Sequence, residues 1–416
     1  MRNRVFNAQQ LSKWIPVSDE LRSEIESCTV RFRMAATPYF LSLIDPDDPD
    51  DPIRKQCIVS SKELELCPGD MHDPLNEGGS SVTPHIVHRY PDRVLLLVTT
   101  QCAMYCRHCT RRRIVGERDC SPTIEELDKE LDYIRAHKEV RDVLISGGDP
   151  LTLPTDRLEA IIKRLREIEH VDIIRIGTRV PCVLPMRIDD ELVSMLKKYH
   201  PLWMNIQFNH VRELTPESEE ACRKLADAGI PLGNQSVLLN GINDDAETMK
   251  ALLLRLVHNR IRPYYLYQCD LAEGIGHFRT TVDKGIDIIH QLQGRISGFA
   301  VPKYVIDAPG GGGKVPINYE YVKEVDGNKI VFENYEGGLY SYLQPGGEKM
   351  TDKLFGYPSD YEKLHNVETQ EVFKKSGVKV WECRNCGHIV VGEAAPEVCP
   401  VCAHPQAYFE INAENY

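Results

Sequence analysis

The chain has 416 residues, with 50 Lys and Arg against 62 Asp and Glu for a formal net charge of −12, and 42% apolar and 27% charged residues. That composition suits a globular protein with room for about two to four domains. The acidic balance excludes a general nucleic-acid binder, which needs a basic footprint, and no apolar run reaches the ~18 residues of a membrane span.

The outlying count is 14 Cys. The N-terminal stretch MRNRVFNAQQLSKWIP lacks the apolar core of an export signal, so a cytoplasmic, reducing location is expected. There the cysteines should be metal ligands, reactive thiols or packed core rather than disulfides.

In chain order, residues 1–88 read as a helical, then irregular, N-terminal extension. The segment LIDPDDPDDPIRKQ carries three Asp-Pro pairs, at Asp45, Asp48 and Asp51. Proline blocks helix propagation and extends the residue before it. The segment lacks the glycine of a calcium loop, and it reads as an ordered connector.

From residue 93 apolar runs of strand length alternate with amphipathic helical ones. Strands are predicted at 93–100, 142–146, 172–178, 202–208, 231–239 and 264–268. Helices follow at 123–137, 155–168, 189–198, 215–228, 245–259 and 278–292. Six such β-α units imply parallel strands covered by helices, as a doubly wound sheet or an incomplete barrel. Either way the chemistry belongs at the C-terminal strand ends. A seventh extended run, 299–307, leads into the glycine loop APGGGGK. Residues 316–375 form a mixed C-terminal extension, and 376–416 a compact Cys-rich tail.

Seven cysteines form two groups. Cys102, Cys106 and Cys109 have the spacing C-x3-C-x2-C directly after the first strand. Three thiolates are one too few for a closed tetrahedral zinc site or a four-thiolate cluster. They suit an iron–sulfur cube with one open iron, or a zinc site completed by His108 or a distant residue. Cys383, Cys386, Cys399 and Cys402, spaced C-x2-C-x12-C-x2-C, suit a closed four-thiolate site for Fe or Zn. The other seven read as small buried hydrophobes.

The C-x3-C-x2-C loop after the first strand of a six-fold β/α array resembles the radical S-adenosylmethionine superfamily. That resemblance implies a [4Fe-4S] cluster on the three cysteines, with S-adenosyl-L-methionine on its open iron. It also implies an incomplete (β/α)6 TIM-like barrel spanning 89–315. Gly147, Gly148 and Asp149, ending the second strand, match the family turn that holds the methionine amine. Tyr105 and His108 should touch the nucleoside. The stretches HRYPDRVLLL, CRHCTRRR, SGGDPL, FNH, PLGNQSVLLNGIND, RPYYLYQCDL and DAPGGGGK are similar to the lysine 2,3-aminomutases. They fall in order within residues 33–320.

The glycine loop admits three readings. A Walker loop fails because Val315, not Ser or Thr, follows the lysine. A solvated surface lysine is possible, as is a lysine forming a Schiff base with pyridoxal 5'-phosphate. The resemblance selects the last, and so makes Lys314 the catalytic lysine. It places the cofactor phosphate on Arg89 and Arg93, and Gln235 against S-adenosylmethionine or pyridoxal phosphate. Asp270 and Asp307 each end a strand, as an acid/base pair or a clamp for one cation. The resemblance implies a clamp on the substrate ε-ammonium, with Arg111 on its carboxylate. Relatives acting on glutamate carry Lys and Asn at the clamp positions.

The implied reaction is a radical isomerisation of L-lysine to β-lysine, using a 5'-deoxyadenosyl radical and a pyridoxal aldimine. It would need an electron donor such as a flavodoxin or ferredoxin, and a homo-oligomer is expected. The chain departs from the lysine enzymes at Gln207, where they carry His, and at Asp245, where they carry Cys. The tail WECRNCGHIVVGEAAPEVCPVC resembles the rubredoxin-type ribbon of rubrerythrins. It is read as a metal-stapled structural cap or an electron-entry module.

Overall fold

The computed structural model describes residues 1–116 and 120–345, together with the backbone of three strands between 379 and 411. Strand order equals chain order in one ten-stranded sheet: β1 (Ser81–Thr83), β2 (Ile86–Tyr90), β3 (Arg93–Leu97), β4 (Asp142–Ser146), β5 (Ile173–Thr178), β6 (Leu202–Ile206), β7 (Leu232–Leu238), β8 (Ile261–Gln268), β9 (Lys303–Ala308) and β10 (Gly313–Pro316). Pairing is parallel from β3 to β9. It is antiparallel at the two edges.

After an N-terminal helix α1 (Asp19–Thr29), each parallel connection carries one helix of more than two turns: α2 (Ile124–Ala136), α3 (Thr155–Arg166), α4 (Asp190–Lys197), α5 (Pro216–Asp227), α6 (Ala246–His258) and α7 (Val282–Leu292). This is the expected six-unit α/β barrel, left open between β1 and β10. Capping sets the helix starts. Thr123 makes a capping box with Glu126 on α2, and Thr281 caps α7. Asp245 caps α6 by accepting from Thr248 N–H at 2.8 Å.

The apolar runs divide between two faces. Val94, Leu96, Val143, Ile145, Ile174 and Ile176 are buried beneath the helices. They meet Leu158, Ile161, Ile162 and Leu165 of α3 in one core. The inward residues do not fill the barrel. Leu95, Leu144, Arg175, Asn205 and Gln235 line a cavity of about 820 Å³.

β8 begins three residues earlier than the strand predicted at 264. Pro263 has no N–H to donate, which argues against a strand interior. Here a bulge accommodates it: pairing with β7 passes from Pro263 to Tyr265, leaving Tyr264 as the extra residue.

The N-terminal extension holds the cysteine loop. Buried Asp51 organises the Asp-Pro connector, accepting from Ile53 N–H at 2.9 Å and Arg54 N–H at 2.7 Å. Glu63 is 1% exposed and pairs with Arg107 and Arg112. Burial raises its pKa, but the two guanidinium groups outweigh that and hold the carboxyl below its usual range. Arg107 Nη1 donates to Arg33 O at 2.7 Å, and Tyr105 N–H to Ala35 O at 2.8 Å.

Chain contacts divide at Glu320 into units Met1–Glu320 and Tyr321–Tyr416. The second unit contains an antiparallel meander, β11 (Val322–Asp326), β12 (Lys329–Glu333) and β13 (Leu339–Leu343). It also contains a three-stranded sheet with β14 (Lys379–Cys383) between β15 (Ile389–Gly392) and β16 (Phe409–Ile411). Cys383 ends β14. Cys386, Cys399 and Cys402, the other members of the expected four-thiolate site, lie outside the described residues. Among the described residues no helix is long and apolar enough to cross a membrane.

Candidate active site

The loop after β3 brings Cys102, Cys106 and Cys109 to the wall of one small cavity, with Tyr105 and Arg107. Burial raises the Cys102 thiol pKa, and the Asp149 carboxylate and the other two thiols push it higher. Burial and then Cys106 raise Cys109. Three crowded thiols, with Cys102 and Cys109 held back from ionisation, suit an iron-rich cofactor, whose positive charge favours the thiolates. Among the described residues no three His, Cys, Asp or Glu side chains could hold a single metal ion. A cube does not require that, because each thiolate binds a different iron. His108 is buried, and its Nε2 lies 3.2 Å from Gln207 Nε2 and 3.3 Å from Asn209 Nδ2. That placement occupies Nε2 and leaves the buried Nδ1 without a partner among the described residues. It also puts Gln207 in direct contact with the cysteine loop.

The turn after β4 is bound to the same loop through backbone. Gly148 N–H donates to Thr99 O at 2.5 Å, and Asp149 N–H to Gln101 O at 2.7 Å, just ahead of Cys102. A Cβ at Gly147 would stand 2.1 Å from Thr99 O, and one at Gly148 2.2 Å from Gln101 O. Only glycine permits this approach. Gly148→Ala should therefore separate the turn from the loop at a cost of about 1–3 kcal/mol. Weaker S-adenosylmethionine binding in anaerobic equilibrium dialysis is the expected readout. The Asp149 carboxylate already accepts from Thr178 Oγ1 and Arg179 N–H, both at 2.7 Å, and from Leu151 N–H at 3.1 Å. Its side chain anchors the turn from below.

Behind the cysteine loop lies a buried polar group that the sequence analysis missed. Arg179, just after β5, donates from Nη1 to Cys106 Sγ at 2.9 Å. Its Nη2 donates to Gln56 Oε1 at 2.5 Å and to Glu213 Oε1 at 2.8 Å. Asn209 donates to the same Gln56 oxygen at 3.0 Å. Gln56, Asn209 and Glu213 are fully buried and Arg179 is 6% exposed. A polar residue ending an apolar strand, as in GTR after β5, is the signal that marks this position.

Lys314 lies in the barrel cavity with Arg89, Arg93, Tyr90, Gln235, Tyr267 and Arg111. The glycine loop turns back sharply, and Gly310, Gly311 and Gly313 all take left-handed φ values. The resulting β9–β10 hairpin sets Lys314 opposite Asp307. Lys314 Nζ lies 3.1 and 3.2 Å from the two Asp307 oxygens and 5.3 Å from the centre of the Tyr267 ring. Asp307 is 9% exposed. Burial, and then repulsion from Asp307, raise the Asp270 carboxyl pKa to about 7.

Arg89 keeps a buried Nε that has no partner among the described residues, and Arg93 stacks 3.8 Å over Tyr90. Two guanidinium groups beside one lysine fit a phosphorylated aldehyde such as pyridoxal phosphate. Gln235 donates to Tyr267 Oη at 3.3 Å.

Arg111 has a partner not expected from sequence. Its Nε lies 2.9 and 3.0 Å from the Glu77 oxygens, and its Nη2 2.6 Å from Oε1. Nη1 points to Ser146 Oγ at 3.1 Å and Gly147 O at 3.3 Å. Glu77 therefore takes the Nε–Nη2 edge of the guanidinium, Nη1 is held by the β4 turn, and the residue lines the barrel cavity.

Residues 96–253 match the radical SAM superfamily, the class that this open barrel and its cysteine loop define. Residues 289–381 match the Lysine-2,3-aminomutase family, and 381–410 the rubrerythrin, rubredoxin-like domain. The L-lysine 2,3-aminomutase of Clostridium subterminale is 55% identical over 345 residues, covering 83% of each chain. That of Fusobacterium nucleatum is 49% identical over 88% of this chain and 86% of its own. The glutamate 2,3-aminomutase of Clostridioides difficile is 46% identical over 81% and 80%. The chain belongs to the lysine 2,3-aminomutase family. That family uses a [4Fe-4S] cluster, S-adenosylmethionine and pyridoxal phosphate, and the rubredoxin-like stretch adds a metal-binding module.

Proposed function

We propose that this chain moves the α-amino group of L-lysine to the β-carbon, giving β-lysine. When bound, S-adenosylmethionine on the cluster supplies one-electron hydrogen abstraction, and pyridoxal phosphate supplies electron delocalisation at the migrating nitrogen. The chain's own residues bind and orient. Cys102, Cys106 and Cys109 hold the cluster, and the Gly147–Asp149 turn receives the methionine end of S-adenosylmethionine. Arg89 and Arg93 take the phosphate. Lys314 holds the cofactor until substrate arrives and then receives a proton as an ammonium on Asp307. Arg111, which lines the same cavity, receives the substrate carboxylate beside Glu77.

The observation that carries lysine over glutamate is the acid pair. A relative named for lysine and one named for glutamate stand at 47% and 46% identity to this chain, although others named for lysine reach 55%, so identity alone does not separate the two substrates. Asp270 and Asp307 sit close enough for one to raise the pKa of the other, and the pair offers a negative seat to an ε-ammonium. A substrate carboxylate there would be desolvated against like charge, at a cost of several kcal/mol.

The test is an anaerobic incubation of reconstituted protein with S-adenosylmethionine, dithionite and 13C-labelled amino acids, followed by NMR. β-Lysine should accumulate. Unchanged lysine beside rearranged glutamate or arginine would overturn the assignment. The same reading calls for a flavodoxin- or ferredoxin-type electron donor, a homo-oligomer and a reducing cytoplasm.

A further inference from the structure

We propose that Arg179 is a positioning residue that raises the reduction potential of the cluster through the Cys106 sulfur. The inference rests on the cysteine loop holding a [4Fe-4S] cluster. Three observations carry it. Arg179 Nη1 donates to Cys106 Sγ at 2.9 Å. The arginine is 6% exposed, so water screens its charge little. Its approach is fixed from several sides: Gln56 and Glu213 hold Nη2 at 2.5 and 2.8 Å, and Asp149 accepts its backbone N–H at 2.7 Å.

The physical effect has a definite sign. One electron from dithionite converts the oxidised cluster to the reduced one, and the added negative charge spreads onto the ligand sulfurs. A hydrogen bond and a positive charge at one sulfur stabilise that product more than the oxidised cluster. Hydrogen bonding to sulfur is an established control on such potentials. Glu213 opposes the effect, because its carboxylate pairs with the same guanidinium at 2.8 Å. The two residues therefore set the potential in opposite directions. Asp149 joins this device to the turn expected to meet S-adenosylmethionine, through the backbone of Arg179 itself.

The experiment is an EPR-monitored redox titration of the reconstituted full-length protein, with iron and sulfide measured first. If the wild-type chain binds no [4Fe-4S] cluster, the cluster reading fails together with the inference. With the cluster present, Arg179→Gln should lower the reduced-to-oxidised ratio at fixed potential at least tenfold, equivalent to about 59 mV for one electron. Arg179→Lys should recover part of the loss. Glu213→Gln should raise the ratio. A purely structural Arg179–Glu213 pair would change cluster retention while leaving the ratio of the loaded fraction unmoved. A ratio within twofold of wild type in any cluster-loaded Arg179 variant overturns the inference and leaves the proposed reaction standing. Should no Arg179 variant load, an unchanged or lower ratio in Glu213→Gln overturns it alone.

Discussion

Replacing Lys314 with alanine is expected to abolish borohydride fixation of pyridoxal phosphate to the chain and to slow β-lysine formation by about 10²–10⁴-fold, the range for loss of a positioned proton-handling side chain. The hairpin explains why no other lysine substitutes. β10 pairs with β9 residue by residue, and Lys314 falls opposite Asp307. Among the described residues Lys314 is the one lysine lining the barrel cavity. The variant should still fold, since Lys314 is half-buried and the hairpin is held by backbone pairing. Mass spectrometry of the borohydride-treated protein reads the result directly. A pyridoxyl adduct persisting at wild-type stoichiometry in Lys314→Ala would refute the assignment.

The second large effect concerns pH. Asp270 has a pKa raised to about 7, first by burial and then by Asp307. A cation bound to Asp270 requires its carboxylate, so lysine affinity should be greatest above pH 7. Below that it should fall by up to about tenfold per pH unit, as each binding event must also release a proton. Asp307→Asn removes one of the causes and should move this decline to lower pH. Asp270→Ala should flatten it and weaken lysine by about 2–5 kcal/mol, the usual loss when one partner of a desolvated charge pair is removed. Anaerobic calorimetry between pH 5.5 and 8.5 would measure all three. A wild-type affinity that is flat across that range would exclude Asp270 from the ammonium seat.

The barrel and the placement of its motifs were legible because they rest on local signals. Parallel strands under helices read as apolar runs, and the cysteine loop, glycine turn and glycine–lysine loop each follow such a run directly. β8 was read from 264 but starts at Ile261, and nothing local announces the bulge at Tyr264 that accommodates Pro263. The strand end marks the position of Arg179, but its partners, like that of Arg111, were illegible for a different reason. Gln56 and Arg179 are 123 positions apart, and Glu77 and Arg111 are 34 apart. Single polar residues at such separations carry no periodicity, and only the folded chain brings them together.

The equality of strand order and chain order has a consequence for how the molecule forms. Every strand pairing in the large sheet joins consecutive strands, so the sheet can lengthen one unit at a time without waiting for distant segments. The seam between the two edges is the exception. There Lys314 N–H reaches Tyr90 Oη at 3.0 Å across 224 positions. The lysine's seat closes only after both ends of the sheet exist, so a partly formed chain would build most of its barrel before it could hold pyridoxal phosphate.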